Sequence, residues 1–207
     1  EIAPSDWSSD VCSSDLPGAL SAIFQNIRLL AGQPAGQLYP GAELMNKGTV
    51  LVVLISEYAD WEIALLAAGL RWGFGMWQKT YEVKIVSATE DYVHSLGGLT
   101  VVPDYSFENT PTEFSALLLI GGTNWFGQEG LQALPLIQMA MKRKVTIGAI
   151  CDASVFLAAH GFLNNIKYTS TSLTELKRKA GVAYRGEDKF LECAAPKIGR
   201  ASCRERV

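Results

Sequence analysis

The segment Ala149-Ile150-Cys151-Asp152-Ala153 places a thiol between an apolar run and a helix-like stretch, with small residues two positions before and after it. A sharp strand-to-helix turn needs such flanks, because the backbones come close there. At that turn the sulfur would stand above a sheet and at a helix N-terminus, whose dipole favours the thiolate. The chemistry on offer is nucleophilic attack on a carbonyl, or oxidation of the sulfur itself. An inert cysteine closing a core strand explains the same five residues equally well.

Two other groups could complete such a site. Gly121-Gly122-Thr123 follows an apolar run. Paired glycines let backbone N–H groups approach a ligand and hold an oxyanion, although a tight turn with no ligand has the same composition. Glu62 stands in the first turn of a helix, where acidic residues are also common for dipole reasons. An ionised carboxyl beside Cys151 would repel the thiolate. A protonated one would donate a hydrogen bond to sulfur, and a dry pocket would keep it protonated. Asp152 is a candidate for positioning a polar substrate. Trp125 and Phe126 are candidates for lining a pocket mouth, against simple packing of their loop onto the sheet. The chain holds two histidines. His94 falls in a hairpin-like region and His160 lies more than two helical turns beyond Cys151, so neither is expected to serve as its base.

These residues need a scaffold, and the middle of the chain supplies one. Thr49–Ile55, Ala116–Ile120 and Val145–Ile150 are continuous apolar runs of the kind buried in parallel sheets. Tyr81–Ala88 alternates like a further strand. Val93–Asp104, with Gly97-Gly98 at its centre, reads as a hairpin. Ile63, Leu66, Ala67 and Leu70 recur at helical spacing after Asp60, a candidate N-cap. Leu134–Lys142 has Pro135 near its first turn and Lys142-Arg143-Lys144 at its end, where cations complement the dipole. Ser154–His160, stopped by Gly161, and Ser172–Ala180 complete the helices. Strands alternating with helices predict an α/β fold with an open, mostly parallel sheet covered on both faces. Ligands in such folds bind beyond the carboxyl ends of the strands, where Glu57–Glu62, Gly121–Trp125 and Cys151 all fall.

Composition narrows the class. The chain has 207 residues, is 48% hydrophobic and carries a net charge of −3. That suits one buried core and argues against a nucleic-acid binder, which needs a basic stripe. The apolar runs are too short to span a membrane, and the acidic N-terminus does not suit a secretory signal. Cys12, Cys151, Cys193 and Cys203 form no C-x-x-C pair, so reduced thiols in a cytoplasmic protein, with no metal, are expected. Residues 1–44 and 200–207 read as foreign. Ser8–Leu16 and Gly199–Val207 resemble translated sequencing-adapter strings, and Met45 looks like the natural start of a domain covering 45–199.

Taken in order, Leu54–Glu62, Leu119–Gly122, Gly148–Cys151 and Phe156–Leu163 resemble the DJ-1/PfpI family, in particular its type 1 glutamine-amidotransferase-like branch. The resemblance runs from Met45 to about Gly199. It implies a flavodoxin-like three-layer sandwich, a reactive Cys151, a carboxyl partner at Glu62 and a homodimer without cofactor. It also departs from the pattern. Asp152 and, approximately, Tyr168 stand where many relatives have histidine, no amidotransferase triad is visible, and a final strand and helix are missing. Two functions follow as expectations. One is a cysteine-dependent enzyme acting on small carbonyl or amide substrates, with an oxyanion held near Gly121 and Gly122. The other is an oxidative-stress sensor using the same thiol. Without histidine, addition to an aldehyde is less demanding than peptide hydrolysis, whose amine leaving group needs a proton donor.

Overall fold

The computed structural model describes residues 48–72, 81–164, 173–180 and 198–201. The expectations for 1–44, Tyr168, Cys12, Cys193 and Cys203 lie outside those residues. Five short parallel runs form the centre: β1 (Thr49–Val53), β2 (Glu82–Ser87), β5 (Tyr105–Ser106), β6 (Ala116–Leu119) and β7 (Thr146–Ile150). With β8 (Ile198–Ala201) they make a six-stranded sheet in the order β5-β2-β1-β6-β7-β8. Every pairing in it is parallel. The edge strand β8 carries the fold across Gly199. The strands β3 (Val93–His94) and β4 (Thr100–Val101) form a separate antiparallel hairpin.

The central strands are apolar on both faces because both faces are covered. Val50, Val52, Leu54, Leu118 and Ile120 pack against Leu66 and Leu70 of α1 (Asp60–Trp72). Leu51, Val53, Leu117, Leu119 and Ile147 face the opposite way. There they meet α3 (Leu134–Lys142), α4 (Asp152–Ala159) and Leu176 of α5 (Leu173–Ala180), with α2 (Gln128–Gln132) leading into α3. Helix, sheet and helix make a flavodoxin-like three-layer sandwich, as expected. Among the described residues no helix is long and apolar enough to cross a membrane.

Helix ends follow local chemistry. After α4, the N–H of Phe162 donates to Leu157 O and that of Gly161 to Ala158 O, with Gly161 at φ 78°. This is a Schellman closure around a left-handed glycine. Helix α3 ends in the same bond pattern with Lys144 as the left-handed residue. At the start of α1 the structure differs from expectation. Asp60 is the first helical residue rather than its cap, and its carboxylate instead accepts the N–H of Gly97 at 2.8 Å, tying α1 to the hairpin turn. Helix α4 begins at Asp152, two residues before the periodic pattern starts, because the elbow at Cys151 turns directly into it.

Candidate active site

The chain reverses from β7 into α4 at Cys151, whose backbone is at φ 52°, ψ −127°. That conformation is unfavourable for any residue with a Cβ, and such outliers cost about 1–3 kcal/mol. It persists because the neighbouring elements over-determine it: β7 is locked in register with β6, and Ser154 N and Oγ both bond to Cys151 O. The thiol is partly buried and stands at the N-terminal end of α4.

Two residues, Glu62 and Gly121, pack against Cys151. Glu62 is 2% exposed and shares the buried stripe of α1 with Leu66 and Leu70. Its Oε2 accepts the N–H of Gly121 at 2.6 Å. Gly121 is wedged in place. A Cβ there would lie 2.6 Å from Cys151 Cβ, 2.7 Å from Glu62 Oε2 and 2.9 Å from Oε1. Glycine is therefore required for close approach, because the cysteine and the carboxyl both crowd the position that its Cβ would take. Burial disfavours a charged carboxylate and a donated N–H favours it, so the two influences oppose each other at Glu62.

The two glycines have different tasks. Gly121 has its N–H committed to Glu62 and its C=O to Ala59 N. Gly122 sits opposite Tyr58 in a bridge closed by the bonds Ala59 N to Gly121 O and Thr123 N to Glu57 O. In that pattern the Gly122 N–H points away from Tyr58, and among the described residues nothing accepts it. Of the pair, Gly122 has the amide that is not committed to Glu62.

The remaining predicted residues are dispersed. Asp152 is the first residue of α4, partly buried beside Cys151. Trp125 does not line a pocket mouth. It is 0% exposed, packs on Phe156 and donates its indole N–H to Ile120 O at 2.7 Å. Burying the ring while satisfying its one polar atom outweighs leaving it at the surface. Phe126 is 41% exposed, with Lys179 Nζ 3.9 Å from its ring centre. His160 is anchored to the end of α4 by Phe156, through a Nδ1 contact to Phe156 O and a tilted ring contact at 4.1 Å. The His94 ring contacts Thr100 and Tyr92 on the hairpin. Among the described residues no cluster of His, Cys, Asp or Glu is placed to hold a metal ion.

Two features of the site floor escaped the sequence. Ser56 N and Oγ donate to the Glu129 carboxylate, both at 2.6 Å, pinning the end of β1 to α2. Glu57 takes a left-handed backbone at φ 62° and its carboxylate accepts the Thr123 hydroxyl. These contacts join positions 73 and 66 residues apart, and no local pattern marks them.

The hairpin is docked by a polar contact whose strength depends on pH. The Ser95 hydroxyl beside Asp60, with the Gly97 N–H, holds the Asp60 carboxyl below its ordinary value against a smaller opposing effect of burial. A depressed folded-state pKa stabilises the fold above the unfolded value of about 3.9, and that contribution is lost as pH falls through the lower folded value. Urea unfolding of wild type and Asp60→Asn should therefore show a stability gap that is constant near neutrality and closes below about pH 4. A gap that persists unchanged at lower pH would refute the electrostatic account.

Comparison with known proteins places this geometry. The DJ-1/PfpI family profile matches residues 48–195. The chain is 34% identical over 119 residues to the uncharacterized protease YdeA of Bacillus subtilis (strain 168), covering 58% of this chain and 57% of that one. It is 32% identical over 132 residues to the uncharacterized protease YoaZ of the same organism, covering 62% and 63%. The chain thus spans about three-fifths of the length of these relatives. Among solved structures, it resembles a ThiJ/PfpI family protein from Bacillus anthracis at 28% identity and TM-score 0.64, covering 75% of this chain and 76% of that one. It also resembles the DJ-1 superfamily protein Atu0886 from Agrobacterium tumefaciens at 27% and 0.63, covering 74% and 81%. With the profile covering every element of the sandwich but β8 and the elbow inside it, the chain belongs to the DJ-1/PfpI family.

Proposed function

We propose that this protein is a cysteine-dependent enzyme acting on small carbonyl compounds, with Cys151 as nucleophile. What supports the reading is one arrangement: a cysteine on a strained elbow and a buried carboxyl, both packed against the same face of Gly121. Strain of this kind is kept where function uses it. The thiolate would add to the carbonyl carbon, forming an S–C bond and moving the π electrons onto oxygen. The Gly122 N–H, helped by the N-terminal dipole of α4, would hold that oxygen until it takes up a proton. Glu62 would tune the thiol and relay the proton.

Amide hydrolysis, the chemistry implied by the names of the Bacillus subtilis relatives, is the less favoured substrate class here. Expulsion of an amine needs a proton donor. Both histidines of the chain are engaged elsewhere, His160 at Phe156 and His94 at Thr100. A second reading, a redox sensor, is favoured by the same Glu62, which as a neutral acid would hydrogen-bond an oxidised sulfur.

The deciding measurement is the pH dependence of Cys151 alkylation in wild type and Glu62→Gln, followed by turnover of a neutral dicarbonyl. A thiol titrating below the free-cysteine value of about 8.5, shifted by Glu62→Gln and accompanied by turnover, supports the enzyme. Stoichiometric oxidation without turnover supports the sensor. An unreactive Cys151 rejects both.

A further inference from the structure

We propose that Glu57 biases this site toward uncharged carbonyl electrophiles over those bearing a carboxylate, an inference that rests on Cys151 being the nucleophile. Glu57 is exposed, yet its position is closely fixed. Its N–H donates to His94 O at 2.8 Å, its C=O accepts the Thr123 N–H, and its carboxylate accepts the Thr123 hydroxyl. The charge is thereby held at the residue following Gly122. Among the described residues no cation pairs with it. Lys84 is engaged with Asp104 and Glu82, and Arg143 with Glu113.

The path from Cys151 to the main chain of Glu57 crosses two glycines. A Cβ on Gly121 would strike Cys151 Cβ, and a Cβ on Gly122 would lie 2.6 Å from Glu57 O. A substrate with its oxygen on the Gly122 N–H and its carbon at the sulfur therefore carries its remaining groups within about one Debye length, ~10 Å, of Glu57. A carboxylate there meets a like charge that it cannot displace. The N-terminus of α4 acts in the opposite sense on an anion. Glu57 is thus read from the effect of removing its charge, not from the wild-type preference alone.

Two alkylating reagents of nearly equal shape isolate this effect. With either iodoacetamide or iodoacetate the Cys151 thiolate displaces iodide and forms one S–C bond. The ratio of the two rates cancels the thiolate fraction and reports charge alone. Labelling is followed on the Cys151 peptide by mass spectrometry in wild type, Glu57→Gln and Glu57→Gly. Glutamine keeps the acceptor for Thr123, and glycine suits the left-handed backbone. Both variants should raise the iodoacetate rate relative to iodoacetamide by about two- to fivefold at low salt, and the gain should shrink at high salt. An unchanged ratio in both variants overturns the role of Glu57 and leaves the nucleophile in place. Labelling of Cys151 by neither reagent overturns both.

Discussion

Gly121→Ala is expected to cost about 2–3 kcal/mol of stability and to suppress most of the reactivity of Cys151. The new methyl would lie 2.6 Å from Cys151 Cβ and 2.7 Å from Glu62 Oε2. Neither neighbour can give way easily. Cys151 Cβ is fixed by the elbow backbone, and Glu62 is buried and held by the N–H of the residue being changed. The carboxyl and the thiol must separate, so stability and reactivity should fall together. Urea titration should show a lower midpoint with an unchanged slope. Combining Gly121→Ala with Cys151→Gly removes the clashing Cβ, and the double variant should recover part of the loss. A purely additive pair would show that the crowding lies elsewhere.

Replacing Cys151 should separate function from stability in the opposite direction. Cys151→Ala and Cys151→Gly both lose the thiol, and with it alkylation at position 151 and any turnover that depends on it. Their stabilities should differ. Alanine keeps the unfavourable backbone at φ 52°. Glycine occupies it freely, relieving about 1–3 kcal/mol of strain against about 0.5–1 kcal/mol for its greater freedom when unfolded. Cys151→Gly should therefore be the more stable of the two by about 1 kcal/mol, visible in thermal or urea unfolding. Equal stabilities would mean that the elbow is not strained, and would remove the main physical support for a functional cysteine.

Much of the architecture was legible because it follows from local patterning. The apolar runs that became β1, β6 and β7 are buried on both faces, as strands of a sheet covered by helices on each side are. Leu134–Lys142 was recovered with the same limits, since Pro135 and the terminal cations mark its two ends. The short strands β5 and β8 and the helix α2 were not seen. Each has five residues or fewer, and their sequences carry no repeated period.

The candidate site divides along the same line. Cys151 and its small flanks, Glu62 in the first turn of α1 and the glycine pair after β6 are all visible as residues at the carboxyl ends of predicted strands. That visibility follows from the parallel sheet, which gathers strand ends at one edge. The roles within that edge depend on contacts between distant positions. Gly121 and Glu62 are 59 residues apart, and only the packing of α1 on the sheet commits that amide to the carboxylate. Trp125 is equally suited by type to a pocket or a core, and the core wins because Ile120 O lies within reach of its indole N–H. Local periodicity selects strands, helices and turns through backbone and burial preferences that act over a few residues. The direction of each N–H and the company of each charge are set by close packing among elements far apart in the chain.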